Sequence, residues 1–308
     1  MPYTMGISQY IKEIGRGKDG ARPLTREQAA DLFGQVLDGT VTDLEVGAFC
    51  LAMRIKGETP DEMGGFLDAT YQRMNRFPAT DKPLVVLPSY NGARKLPVLT
   101  PLLALLVARA GLPVLVHGTA TETKRVFASE VLGLLGVRTL TQVEAIAPGT
   151  VAFAPTEVLL PGLKRLLDVR RVVGLRNPAH SLVKLMNPGA GDSVIVSSYT
   201  HPEYAISMAA VFELMGATAL LLRGTEGEVV ADPRRTPEMR GFINGRPVLL
   251  QEGVKGTLPS VPDLPAGIDA ATTAAYIQAV LGGQLELPAS IAQQVKHILN
   301  LATQREHA

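Results

Sequence analysis

A single cysteine, Cys50, in 308 residues leaves no partner for an internal disulfide and no thiol set for a multi-cysteine metal site. The apolar run from Val46 to Met53 that surrounds it predicts a buried, structural thiol. Histidine is scarce as well, at five residues, and no pair has the spacing of a metal site. The longest apolar runs, such as Leu102 to Val107, fall well short of the ~20 residues a membrane helix needs. The opening Met1-Pro2-Tyr3-Thr4-Met5 has neither the basic segment nor the apolar core of a secretion signal. A cytoplasmic chain with no membrane partner is the expectation. Repeats and low-complexity segments are absent too. Net charge is small, with 30 Lys and Arg against 29 Asp and Glu, which taken alone argues against a nucleic-acid partner.

What is present is a large apolar complement, 46% of the residues, enough for two packed units. The charges are unevenly spread. Residues 85–200 hold 12 Lys and Arg but 6 Asp and Glu, leaving 18 basic and 23 acidic residues elsewhere. The middle is therefore basic and the rest acidic, and local field governs polyanion binding more than the total does. The pattern alone is compatible with one cationic groove or with separate solvated faces.

The first 77 residues read as short helices. Thr25-Arg26-Glu27-Gln28 and Thr42-Asp43-Leu44-Glu45 are capping-box patterns. Thr59-Pro60-Asp61-Glu62 offers an N-cap, a first-turn proline and two acids facing the helix dipole. Such short helices must pack on each other or on a partner. Residues 77–83 read as a linker, after which the pattern changes to strands: 84–87, 113–118, 151–155, 194–198, 219–224 and 247–250. Helices are expected at 100–110, 124–135, 203–215 and within 268–302. The segment 163–185 reads as helical, interrupted at Asn177-Pro178, and is expected to join the N-terminal helices. The alternation predicts an α/β fold: a small helical domain over 1–77, joined by about 160–187, and a larger α/β domain over 78–308 with a mostly parallel central sheet.

Ser89-Tyr90-Asn91-Gly92-Ala93-Arg94-Lys95 follows a buried strand, where a glycine-rich turn often cradles phosphate. With one glycine it is a poor tight cradle, but its Arg-Lys pair suits side-chain contacts to phosphate. The order of segments resembles anthranilate phosphoribosyltransferase over nearly the whole chain. That family reads Gly-Thr-Gly-Gly-Asp-Gly where this chain has Pro88 to Ala93. It reads Lys-His-Gly-Asn-Arg where this chain keeps only His117 and Gly118, and Gly-x-Asp-Glu where this chain has Gly224-Thr225-Glu226-Gly227-Glu228. The resemblance therefore leaves Ser89, Tyr90, Asn91, Gly92, His117 and Gly118 as a vestigial phosphate site. Pyrophosphate displacement needs Mg²⁺ and oxygen-rich ligands, and here Glu226 and Glu228 are the candidates while the adjacent acidic pair is missing. No metal and no cofactor are expected.

The substituted motifs are more similar to the narrower YbiB family. These are Ile14-Gly15-Arg16-Gly17-Lys18, Pro88 to Lys95, Leu99-Thr100-Pro101, Val116-His117-Gly118, Arg176-Asn177 with Ala179-His180, Ser198 with His201-Pro202-Glu203-Tyr204, and Gly224 to Val229. That resemblance implies a homodimer formed through the helical domain, binding single- or double-stranded DNA and RNA with little sequence preference and having no catalytic residues. Nonspecific binding needs a row of cations. The candidates are Arg94, Lys95, Lys124, Arg125, Lys164, Arg165, Arg170, Arg171, Arg176 and Lys184, followed by Lys12, Arg16, Lys18 and Arg22. Tyr90 is a candidate for base stacking or for packing. His117 and His180 lack a partner set for acid–base catalysis, and His201 is expected to open a helix. The alternative is a glycosyl- or phosphoribosyl-transferase with an altered acceptor, and a third reading is a small-molecule sensor in the old pocket.

Overall fold

The computed structural model describes residues 6–17, 19–122, 124–257 and 262–304, so Lys18 lies outside the described residues. In chain order the elements are α1 (Ser8–Ile14), α2 (Arg26–Asp38), α3 (Asp43–Lys56), α4 (Pro60–Tyr71), β1 (Leu84–Ser89), α5 (Thr100–Arg109), β2 (Val114–Gly118), α6 (Ala128–Leu134), β3 (Arg138–Thr139) and β4 (Val151–Pro155). Then follow α7 (Thr156–Leu159), α8 (Pro161–Val173), α9 (Ala179–Leu182), β5 (Ser193–Tyr199), α10 (Pro202–Leu214), β6 (Ala219–Arg223), β7 (Met239–Ile243), β8 (Arg246–Gln251), α11 (Ala270–Leu281) and α12 (Ala289–Gln304). They form two compact units, one of residues 1–75 with 156–186 and one of 76–155 with 187–308.

In the helical unit, Thr25, Thr42 and Thr59 each close a full capping box with Gln28, Glu45 and Glu62. Its core is a cluster of three aromatic rings from three helices. Phe33 stacks on Phe66 at 4.6 Å, and Phe49 meets both edge-on at 6.3 and 6.0 Å, arrangements that suit the ring quadrupole. Beside it Glu62 is fully buried. Its carboxylate accepts from the backbone N–H of Leu24 and of Thr59, both at 2.9 Å, and pairs with Lys56 at 2.6 Å. One side chain thus ties the entrance of α2, the end of α3 and the start of α4. The Cys50 thiol is buried in the same unit and burial pushes its pKa up to about 12, which makes it unreactive as a thiolate at neutral pH. Residues 163–185 divide into α8 and α9 around the Asn177-Pro178 break, with the Asn177 side-chain amide donating to the Leu166 carbonyl at 2.7 Å.

The α/β unit is built on an eight-stranded sheet in the order β3-β4-β2-β1-β5-β6-β7-β8. β3 through β6 pair in parallel, while β7 and β8 are antiparallel. β1 and β5 are neighbours whose following chains leave in opposite directions along the sheet. The crevice at the carboxyl ends of such strands is where open α/β sheets bind ligands. β7 is not visible in the sequence pattern because Arg240 and Gly241 interrupt its apolar alternation. The turn that closes it, Asn244-Gly245, has positive φ at both residues, 49° and 79°, the chemistry of a tight two-residue hairpin. The helix expected from residue 124 begins only at Ala128. Residues 124–127 are diverted instead into a bridge between Val126 and Ala93.

Glu62→Ala would leave the backbone N–H groups of Leu24 and Thr59 without their acceptor and the Lys56 ammonium with the Gly57 carbonyl but no counter-charge. Chemical denaturation should show the helical unit losing about 3 kcal/mol, and an unchanged midpoint would contradict this role for Glu62.

Candidate functional site

β1 pairs with β5 from Leu84 to Val86, but its pairing with β2 continues to Ser89 opposite Gly118. Pro88, with no N–H to give, sits in the stretch where β1 pairs only with β2. The carboxyl ends of β1 and β5 therefore part, and the chain after β6 enters the opening. This loop is closed by a bridge between Gly224 and Ala231. Ser198 at the end of β5 donates to the Gly227 carbonyl at 2.8 Å. From α12, buried Gln294 donates to the Val229 carbonyl at 2.7 Å and accepts from the Ala231 N–H at 2.8 Å. The packing leaves no slack. A Cβ on Gly227 would lie 1.7 Å from the Asn91 amide nitrogen, and one on Gly118 would lie 1.9 Å from the Ser89 carbonyl oxygen.

The loop carries two carboxylates into the region where the sequence suggests a phosphate cradle. Glu228 is 2% exposed. One of its oxygens accepts from the backbone N–H of Asn91 at 2.8 Å and of Gly92 at 2.9 Å, and the other from the hydroxyls of Ser89 at 2.5 Å and Thr100 at 2.9 Å. The Ala93 N–H donates to the Val126 carbonyl at 2.7 Å, and Glu226 accepts from the three backbone N–H groups after it, those of Arg94 at 2.8 Å, Lys95 at 3.1 Å and Leu96 at 3.3 Å. Five backbone and two hydroxyl donors thus converge on two side-chain anions of the same chain. Consecutive N–H groups of this kind form an anion-binding nest. The sequence marks Glu226 and Glu228 only as candidate metal ligands. Both instead face hydrogen-bond donors, and no group of three or more His, Cys, Asp or Glu able to hold a metal is found among the described residues.

Of the six vestigial phosphate-site residues, Ser89, Asn91 and Gly92 bind Glu228, and Gly118 allows β2 to approach Ser89. Tyr90 is buried, and its hydroxyl meets His117 Nδ1 at 2.9 Å. Base stacking by Tyr90 is therefore excluded by its burial, and the packing reading holds. His117 is fully buried, and desolvation alone pushes its pKa down to about 3. It is neutral at physiological pH.

The ten cation candidates divide between the units. Arg94, Lys95, Lys124 and Arg125 lie in the α/β unit, where the bridge between Ala93 and Val126 brings their two loops side by side. Arg94, Lys95 and Lys124 are exposed. Arg125 is half-buried and committed, donating to the Asn91 carbonyl at 3.0 Å and pairing with Glu122 at 3.0 Å. The other six, Lys164, Arg165, Arg170, Arg171, Arg176 and Lys184, lie in the helical unit. There Lys184 is buried, which corrects its assignment as a surface contact. Lys164 and Arg171 both pair with Asp168, and Arg165 donates to the Leu37 carbonyl at 2.9 Å. Four of these cations lie within α8, with Arg170 and Arg171 in its last turn. Lys12, Arg16 and Arg22 are exposed, and Arg16 pairs with Glu13 at 2.6 Å. His201 does open α10 as its N-cap residue, and His180 packs against Asn177.

A helical bundle with a separate, mostly parallel sheet, and a loop after the first strand that gathers an anion, define a glycosyltransferase-type fold. Residues 8–74 match the helical bundle domain of the glycosyl transferase family. The anthranilate phosphoribosyltransferase of Thermus thermophilus superposes with a TM-score of 0.70 at 22% identity, covering 96% of this chain and 88% of that one. The Saccharomyces cerevisiae enzyme, solved in complex with PRPP and Mg, gives 0.71 at 15% identity over 97% and 89%. These two share the fold. In sequence, anthranilate phosphoribosyltransferase of Methanosarcina acetivorans is 30% identical over 282 residues, 82% of this chain and 72% of that protein. The class is that of anthranilate phosphoribosyltransferase-like glycosyltransferases. YbiB of Escherichia coli (strain K12) is 40% identical over 298 residues, 94% of this chain and 92% of that protein, and the chain belongs to the YbiB family.

The depressed pKa of His117 has a pH signature. The unfolded chain takes up a proton near pH 6.5 while the folded chain resists until about 3. Stability from this residue is complete above pH 6.5 and is lost as pH falls toward 3, on the order of 4 kcal/mol at the acid end. Unfolding curves from pH 7 to 4 should converge for wild type and His117→Gln. A constant gap across that range would refute the assignment.

Proposed function

We propose that the protein binds DNA and RNA without sequence preference on a phosphoribosyltransferase-like fold, and that it does so as a cytoplasmic homodimer joined through the helical unit. The observation that carries this reading is the double occupancy of the loop after β1. Every backbone donor from Arg94 to Leu96, and those of Asn91 and Gly92, already serves an internal carboxylate. A pyrophosphate would have to expel two glutamates to be held there. The charged ends of Arg94 and Lys95 nevertheless stay exposed, with Lys124 on the adjoining loop. A loop of this kind repels a small phosphate from its backbone but offers cations to a phosphodiester chain.

The Mg²⁺ of the yeast relative's complex does not fit this site. Glu226 and Glu228 accept from N–H and O–H groups, so a cation between them would confront the positive ends of those dipoles. A transferase with an altered substrate is the competing reading, favoured by the 30% identity to the Methanosarcina enzyme. Dimerisation is supported by an apolar stripe on α3, where Leu44, Leu51 and Ile55 are 84%, 45% and 66% exposed. Their spacing of seven and four residues puts them on one helical face.

Fluorescence anisotropy of a labelled single-stranded oligonucleotide, without Mg²⁺ and across a salt series, tests the binding. Wild type should bind with an affinity that falls steeply with log salt. Arg94→Glu with Lys95→Glu should weaken binding at least about tenfold and reduce the log–log slope by about 1.4. Absence of binding at low salt would defeat the proposal, and saturable binding of phosphoribosyl pyrophosphate with Mg²⁺ would favour the transferase. Leu51→Glu with Ile55→Glu should convert a dimer to a monomer in sedimentation velocity. A wild-type monomer, or a dimer unaffected by the pair, would overturn that interface.

A further inference from the structure

The two internal carboxylates are not equivalent. Glu228 is buried, holds four donors from β1, its following loop and α5, and lies in a segment pinned by Gln294. Glu226 is only half-buried. It binds backbone donors alone, and its own backbone sits at φ 53°, a left-handed conformation that costs a residue with a Cβ roughly 1–2 kcal/mol. Apart from Asn244 in the β7–β8 turn, no other non-glycine residue among those described has a positive φ. A residue held in an unfavourable conformation, at the surface, with its side chain in a nest for anions, has the form of a latch.

We propose that Glu226 is a displaceable internal anion that keeps the nest formed by Arg94, Lys95 and Leu96 closed to small phosphates. The nest is a working anion site, since a carboxylate is bound in it through three N–H groups at 2.8, 3.1 and 3.3 Å. Two cationic side chains surround it, Arg94 and Lys95, both exposed, while Arg234 is held chiefly by Asp232 at 2.8 Å and feels the Glu226 charge only as a lesser contribution. The ligand class that matches is a phosphate or pyrophosphate group, an anion with several acceptor oxygens and more charge than one carboxylate. The glutamate competes intramolecularly, at a high effective concentration, so free phosphate is rejected while the loop's side chains remain available. The latch acts whether or not the chain binds nucleic acid.

Glu226→Gly is the informative variant, because glycine tolerates φ 53° and the N–H groups it frees belong to the exposed Arg94 and Lys95 and the half-buried Leu96. Glu226→Asn is the second, since asparagine also accepts the left-handed region and is one methylene shorter. The probe is inorganic pyrophosphate without Mg²⁺, followed by calorimetry and by the amide ¹H–¹⁵N shifts of Arg94, Lys95 and Leu96. Either variant should bind pyrophosphate saturably, at least about tenfold more tightly than wild type, with those three amides shifting. Glu122→Gln removes a negative charge beside Arg125 without touching the nest, and should leave pyrophosphate binding at the wild-type level. An equal gain from Glu122→Gln, equal binding by wild type, or unmoved amides in both Glu226 variants would overturn the latch. Oligonucleotide anisotropy on the same samples reads the nucleic-acid proposal separately, so either idea can fail alone.

Discussion

The α/β unit depends on how a buried carboxylate is kept at the carboxyl end of β1, in the middle of the sheet. Glu228 sits where β1, α5 and the loop after β6 converge, and its burial would be costly were its charge not met by hydrogen bonds. Four donors meet it. In the same act they consume the two N–H groups that would otherwise be orphaned at the turn after β1. The loop after β1 therefore has its shape because an anion is built into the chain. Pro88 ends the pairing with β5, Gly92 and Gly118 permit the close approach, and Gln294 holds the outgoing limb of the loop at Val229 and Ala231. Removing the carboxylate would disturb all of these together, as coupled hydrogen-bond networks do.

The helical unit repeats the device on a smaller scale. Glu62, a capping residue by position, turns inward and satisfies donors from two other segments as well as its own helix. In both units a glutamate replaces what a ligand or water would otherwise supply. The consequence is structural economy, because short helices and a parted sheet are stabilised without a larger core.

Much of this architecture is legible in the sequence, and the exceptions have physical causes. Thr25, Thr42 and Thr59 announce their helices because a cap is a local interaction among residues three apart. The buried strands β1, β2, β4, β5 and β6 are visible as apolar runs, which parallel strands covered on both faces require. β7 is obscured by Arg240 and Gly241, although the Asn244-Gly245 pair that closes it is a hairpin signal in its own right. The loop after β1 is legible as a degenerate cradle, but its occupant is not. Glu226 and Glu228 lie about 130 residues further on, and the chemistry of a carboxylate in isolation is ambiguous between ligating a cation and accepting from N–H groups. Only the neighbours decide, and those come from separate segments of the chain. Lys184 fails as a surface cation for a similar reason, since burial is a property of the packed unit and not of the residue type.

Backbone and side chain at Arg94 and Lys95 serve opposite ends. Their N–H groups are spent on Glu226, while their charged tips are exposed. An enzyme of this fold that grips a pyrophosphate needs the backbone, because the nest sets the geometry of a compact, highly charged group. A protein that grips a phosphodiester chain needs only the tips, because spacing along a strand is irregular and flexible side chains follow it. The internal carboxylates therefore occupy the backbone donors without engaging the charged tips of Arg94 and Lys95. Likeness of fold therefore does not fix what this loop holds, because the same strand-to-helix turn can direct its backbone donors to carboxylates of its own chain.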